Sequence, residues 1–230
     1  MHSEVARVLG EEIAGGVLPP GRVLTLAGLE ERFARSRTVV REAVRVLESL
    51  GLVVSKRRVG VTVQPSSAWA VLSPQVIAWR LASEGREEQL RSLTQLRQAI
   101  EPGAARAAAL RRADRPADDA VDALVATAER MHELGLRGEG ADTDYIEADV
   151  AFHALLLRAS GNEMFAALES TIAEVLRGRA RLGRNPAWPT RRSLDLHLEL
   201  AQAVAAGRAD RAEAAARAIA GDVLREIGTA

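Results

Sequence analysis

The chain has 230 residues, 47% apolar and 27% charged, the balance of a globular protein and not of a disordered one. It has no Cys, which excludes a disulfide framework, a thiolate nucleophile and a Cys-type zinc site. No apolar run approaches the roughly 18–20 residues that span a bilayer, and the N-terminus around Ser3-Glu4 lacks the features of a secretory signal, so no membrane partner and a cytoplasmic location are expected. The formal charge is zero, yet residues 1–65 carry ten Lys/Arg against seven Asp/Glu and the remainder 21 against 24. A positive head on a negative body suits a head that meets a polyanion.

Apolar residues Val5, Ala6, Leu9, Ile13 and Ala14 predict a first helix from Ser3, as N-cap, to Ala14. Gly15-Gly16 ends it and Pro19-Pro20-Gly21 forbids its resumption. Leu26, Leu29 and Phe33 suggest a short second helix. A third should start at Ser36, capped by its hydroxyl, with Val39, Val40, Ala43, Leu47 and Leu50 on one face and Gly51 as its stop. The β-branched runs Leu52–Ser55 and Val59–Val63, flanking Lys56-Arg57-Arg58, predict a hairpin. Beyond a linker beginning at Gln64, Ala-rich amphipathic stretches predict helices near 86–112, 116–136, 142–160, 162–182, 190–206 and 210–227. Their breaks are marked by Asp114/Pro116, Gly138-Glu139-Gly140, Gly161-Asn162, Pro186/Pro189 and Gly207. The expected fold is mainly α: an N-terminal winged helix-turn-helix of three helices plus a β-hairpin wing, followed by an all-α helical bundle. The expected division is 1–66 for the head, 67–85 for a linker and connecting helix, and 86–230 for the body.

The third helix opens with Ser36-Arg37-Thr38-Val39-Val40-Arg41. A helix in the major groove reads base edges with its N-terminal residues. There Arg37 can present a bidentate fork to guanine, Thr38 can touch phosphate or a base methyl, and Arg41 follows one turn later. The wing turn supplies three cations for phosphate or minor-groove contact. Any one of these cations alone would be an ordinary solvated charge; their order and spacing together make the pattern. Residues 7–64 resemble the DNA-binding domain of the GntR family of bacterial regulators. The pattern is Ile13-x-x-Gly16-x-Leu18-x-Pro20-Gly21-x-x-Leu24, then Leu29-x-x-x-Phe33-x-x-Ser36-Arg37-x-x-Val40-Arg41-Glu42-Ala43. It closes with Leu47-x-x-x-Gly51-Leu52-Val53 and Gly60-Val61-Thr62-Val63. The resemblance implies operator contacts by Ser36, Arg37, Thr38, Arg41, Arg58 and Gly60. Two departures stand out: Leu26-Ala27-Gly28 replaces a usual charged run, and Ala34 stands where the family has Gly. Arg35 is the candidate to restore the lost charge.

Residues 88–227 resemble the FCD ligand-binding domain of the FadR subgroup, through Leu96-Arg97-x-x-x-Glu101, Asp149-x-x-x-His153, Ala159-Ser160-Gly161-Asn162, and His197 followed ten residues later by Gly207. Asp149 and His153, four apart on a helix, project from one face, and His197 from another helix completes a three-ligand N/O set suited to Zn²⁺, Mn²⁺ or Ni²⁺ with open positions. Arg97 can anchor a carboxylate by a bidentate contact. Asn162 is a candidate effector contact, with capping of the next helix as its plain alternative. The family commonly has a further His on the last helix; this chain offers Ile219, Gly221 or Asp222 there, and Asp222 is the substitute ligand candidate. The expectation is a homodimeric, non-enzymatic transcription regulator, a repressor by preference, that binds double-stranded operator DNA and responds to a small carboxylate such as a sugar acid. The alternatives are a metal-dependent enzyme built on Asp149, His153 and His197, and a DNA-binding dimer whose body no longer senses a ligand.

Overall fold

The computed structural model describes residues 2–115 and 117–228; the expected break at Pro116 lies outside them. The chain divides into two units between Gln89 and Leu90, within one helix.

In the first unit, α1 (His2–Ala14) buries Val5, Ala6, Leu9 and Ile13. Ser3 lies inside this helix and does not cap it, a two-residue difference at a boundary that periodicity does not define. The helix packs on α3 (Arg37–Ser49) through the stripe Val40, Ala43, Val44 and Leu47. Between them runs α2 (Leu26–Phe33), capped by the Thr25 hydroxyl, which accepts from Gly28 N at 3.1 Å. The connection from α2 to α3 spans Ala34, Arg35 and Ser36. Ala34 sits in the left-handed region at φ 49° and its N–H closes α2 on Glu30 and Glu31 carbonyls. This is where glycine avoids a Cβ penalty. Ser36 is extended and makes no side-chain cap bond, contrary to expectation; its carbonyl receives Val40 N–H at 3.1 Å.

The hairpin forms as β2 (Val53–Lys56) and β3 (Gly60–Val63), with Val53 opposite Val63 and Lys56 opposite Gly60. A further strand, β1 (Val23–Leu24), pairs antiparallel with β3, giving the order β1-β3-β2. Gly60 has φ 116°, and a Cβ there would meet the Leu24 carbonyl at 2.6 Å, so its glycine is what admits β1 to the sheet. The segment expected to connect the two halves contains α4 (Pro74–Leu81), whose Val76 and Trp79 join the core of this unit. Trp79 lies flat against Gly10, where a Cβ would stand 2.4 Å from its ring.

The second unit is helical: α5 (Arg86–Asp114), α6 (Asp119–Leu136), α7 (Thr143–Ala159), α8 (Glu163–Ala166), α9 (Glu169–Arg181), α10 (Arg191–Ala205) and α11 (Ala209–Gly228). Its main core joins Leu124, Ala128 and Met131 of α6 to Phe152 and Leu156 of α7, Leu200 and Val204 of α10, and Ala212 and Ala216 of α11. A second cluster, Ala104, Leu157, Ile172 and Leu176, ties α5, α7 and α9 together. The stretch 162–182 is two helices instead of one: Leu168 N–H tightens onto the Phe165 carbonyl at 3.0 Å. Apolar positions stay in phase across that turn, which hides it from periodicity. No described helix is long and apolar enough to cross a membrane.

Candidate functional sites

On the first unit, Arg35, Ser36, Arg37, Thr38 and Arg41 are all exposed, Arg35-Ser36 just ahead of α3 and Arg37-Thr38 in its first turn. Arg35 leans on Glu4 at 3.8 Å and Arg37 on Glu30 at 4.0 Å, long pairs that a polyanion can displace. Among the described residues Arg41, Lys56, Arg57 and Arg58 have no ion-pair partner. Arg58, at φ 66°, holds the tip of the wing turn. Exposed cations that are only loosely paired at a helix N-terminus, and unpaired among the described residues further along it and on the hairpin, form a surface fit for phosphate and base contact.

On the second unit, a cavity of about 430 Å³ opens between α7, α10, α11 and the loop before α10. Tyr145, Asp149 and His153 line it as one stripe of α7, four residues apart, and His197 faces them from α10. Asp149 Oδ1 lies 3.3 Å from His153 Nε2 and 3.8 Å from His197 Nε2. One ligand atom from each of Asp149, His153 and His197 lies within 4.8 Å of the others. The rings are fixed from behind. His197 Nδ1–H donates to the Ser193 carbonyl at 2.7 Å, which leaves the Nε2 lone pair on the cavity side. His153 Nδ1 lies 3.3 Å from Glu101 Oε1, and Phe152 meets both imidazoles edge-on, at 5.3 and 5.2 Å between centroids. A carboxylate oxygen and two imidazole nitrogens so oriented fit a divalent cation with open positions.

Charge at this site is dense and buried. Burial pushes the Asp149 carboxyl up, but the His153 hydrogen bond and the charges of His153, His197 and Arg97 outweigh it and hold the group well below the usual range. Burial and the cation beside it lower His197, against the pull of Asp149. His153 moves upward despite burial and Arg97, because Glu101 and Asp149 both favour its cation. Arg97 Nη2, 2.9 Å from His153 Nε2, can donate only to the neutral ring, so the guanidinium opposes those carboxylates. Arg97 itself is bound to Glu101, Nε to Oε1 at 2.7 Å and Nη2 to Oε2 at 3.3 Å, with both side chains almost wholly buried. Burial raises Tyr145 and the Asp149 charge adds to it, keeping the phenol protonated as a hydrogen-bonding group on the cavity wall.

The expected residues do not all converge. Asp149, His153, His197 and Arg97 come together; Asp222 lines the same cavity but accepts from Arg192 Nε at 2.9 Å and pairs with Arg225, apart from the three-ligand cluster. Ile219 also reaches the wall, while Gly221 faces Gln98 and Arg225. Asn162 caps α8, accepting from Met164 N at 2.9 Å, and is not among the residues lining the cavity. Tyr145, Glu101 and Arg179 emerge from the structure as parts of the site. Tyr145 was visible as the same four-residue spacing that links Asp149 to His153; Arg179, in a helix rich in arginine, carried no such signal.

The model of the FCD domain matches residues 92–221, and that of bacterial regulatory proteins of the gntR family matches residues 1–63. The galactonate operon transcriptional repressor of Escherichia coli (strain K12) is 28% identical over 223 residues, covering 95% of this chain and 93% of that protein. The HTH-type transcriptional regulator LutR of Bacillus subtilis (strain 168) is 30% identical over 210 residues, 88% of this chain and 90% of that protein. A solved structure of Streptococcus agalactiae GntR shares the fold, with a TM-score of 0.52 at 21% identity over 98% of this chain and all of that one.

Proposed function

The chain belongs to the GntR family of bacterial transcription regulators, carrying an FCD domain, and from that premise we propose that it is an acid-responsive repressor whose body senses a small carboxylate. It is a DNA-binding regulator and not an enzyme, as its relatives are. In the proposed mode, a homodimer sets two copies of α3 on a pseudo-palindromic operator in the cytoplasm. Arg37 forks onto a guanine, Ser36, Thr38 and Arg35 hold register, Arg41 follows along the groove, and the Lys56–Arg58 turn grips phosphate. Gly60 serves the wing by letting β1 pair, with the backbone beside it close to DNA.

The observation that carries the sensing half is the convergence of Asp149, His153 and His197 on the wall of a cavity. These three residues would hold a divalent cation of the Zn²⁺, Mn²⁺ or Ni²⁺ class, with Ser193 and Glu101 fixing the rings from behind. When bound, such an ion supplies a Lewis-acidic centre with positions open to an oxygen ligand. Arg97, on the same wall, favours a negative group next to that centre, and the Tyr145 phenol orients it. The name of the Escherichia coli relative, a galactonate operon repressor, makes sugar acids the first class to try.

The test is the thermal midpoint of chelator-stripped full-length protein with and without Zn²⁺, Mn²⁺ or Ni²⁺. Saturation at 100 times Kd stabilises by about 2.7 kcal/mol, and the shift should vanish in His153→Ala and His197→Ala. A second reading is favoured by the 2.9 Å approach of Arg97 Nη2 to His153 Nε2: the guanidinium is the resident cation and the acid binds without metal. An absent shift with every ion, together with stabilisation by an acid alone, would select it.

A further inference from the structure

Arg179 stands in the last turn of α9 and lines the cavity, with its side chain 14% exposed. Its Nε is buried and has no hydrogen-bond partner among the described residues, the one such side-chain atom found there. Nη2 makes only long contacts, 3.4 Å to the Arg184 carbonyl and 3.4 Å to Glu226, a carboxylate whose side chain is 62% exposed. Burial and the nearby charge of Arg97 both act against its cation. Other arginines on the same wall are matched differently: Arg97 holds Glu101 at 2.7 Å and Arg192 holds Asp222 at 2.9 Å. Nε–H and Nη2–H form the side edge of the guanidinium fork, the edge that takes a carboxylate with two parallel bonds. At Arg179 one of these donors is empty and the other weakly engaged.

A hydroxyl could fill the empty donor but would leave the buried charge with only the long, solvent-exposed Glu226 pair and the field of Asp149; an anion fills the donor and balances the charge. The Asp149, His153 and His197 cluster already provides for one carboxylate, so the anion at Arg179 is a second one. We infer that Arg179 is a separate acid-binding position in the cavity, and that the effector class is a small dicarboxylate, with one end at the Asp149/His153/His197 cluster and the other on Arg179. This rests on the reading that the body binds a carboxylate, and narrows it from acids in general to acids with two anionic ends.

The test is calorimetric titration of Zn²⁺-loaded, full-length protein with matched pairs that differ by one carboxylate: succinate against butyrate, and galactarate against galactonate. In at least one pair the dicarboxylate should bind about tenfold or more tightly than its partner, a difference of about 1.4 kcal/mol. Arg179→Gln should abolish that preference, and Arg179→Lys, which keeps the charge and loses the fork, should restore part of it. Equal binding within both pairs, or a preference that survives Arg179→Gln, overturns the second position and leaves carboxylate sensing intact. Binding by none of the acids overturns both. Should Arg179→Gln fail to fold, the wild-type pairs and Arg179→Lys decide by themselves.

Discussion

Glu101 is the residue on which the chemistry of the body turns. Its carboxyl is held down at about 2: burial opposes this, and the Arg97 guanidinium and the His153 ring outweigh it. The Arg97–Glu101 pair is buried at both ends, so screening by solvent does not weaken it. Removing one partner of such a pair leaves an uncompensated charge, at a cost of about 3–5 kcal/mol. Glu101→Gln should therefore destabilise the body by that order in a denaturant titration, and a loss below about 1 kcal/mol would mean that Arg97 finds another anion. The four-residue spacing of Arg97 and Glu101 was plain in the sequence, but spacing does not distinguish a solvated pair from a buried one. That is why Arg97 read as an effector anchor alone, when much of its fork is given to Glu101. Ala34 poses the opposite case, a strain readable as a departure from the family's Gly and then found at φ 49°. Relief of about 1–2 kcal/mol of left-handed strain, less about 0.5–1 kcal/mol for glycine's greater unfolded freedom, predicts that Ala34→Gly raises the head's unfolding free energy slightly. A fall would show that the turn relies on the Ala34 methyl.

At the scale of elements, the wing was visible because β-branched residues crowd two short runs, and α3 because its stripe is unbroken. Strand β1 was not visible: two residues, one of them exposed, carry no alternation to read. Its existence gives Gly60 a structural task beside the DNA contact that the resemblance implies. In Gly60→Ala the Cβ would meet the Leu24 carbonyl at 2.6 Å from a backbone at φ 116°. We expect a loss of about 1–3 kcal/mol in head stability, and a matching fall in operator affinity only as far as the wing comes apart. The wing cations make a cleaner prediction, since Lys56, Arg57 and Arg58 are exposed and have no side-chain ion pair among the described residues. Each phosphate left without its cation should flatten the slope of log affinity against log salt by about 0.9. Neutralising all three should weaken binding to every sequence alike, whereas Arg37→Ala should cost about 1–3 kcal/mol at one base position and spare the others. If the wing variant changed sequence preference and Arg37→Ala did not, the roles of wing and helix would be exchanged.

At the scale of the whole molecule, the charge asymmetry of the sequence, +3 for residues 1–65 and −3 for the rest, already separates a surface for a polyanion from a body whose acidity is partly spent inside the cavity. What no single-chain pattern carries is the coupling between the two. The proposed repressor works only if acid and operator favour different states of the dimer, and such coupling is reciprocal in free energy. If the acid weakens operator binding by some factor, operator DNA must weaken acid binding by the same factor, whichever way the heads move. For a coupling of about 1–3 kcal/mol that factor is roughly five- to 150-fold. Titrating the acid into free dimer and into operator-saturated dimer, at one salt concentration, measures it directly. Unequal affinities that match the acid's effect on operator binding establish the sensor. Equal affinities would mean that head and body are thermodynamically independent, and that the acid-filled cavity stabilises the body without regulating transcription.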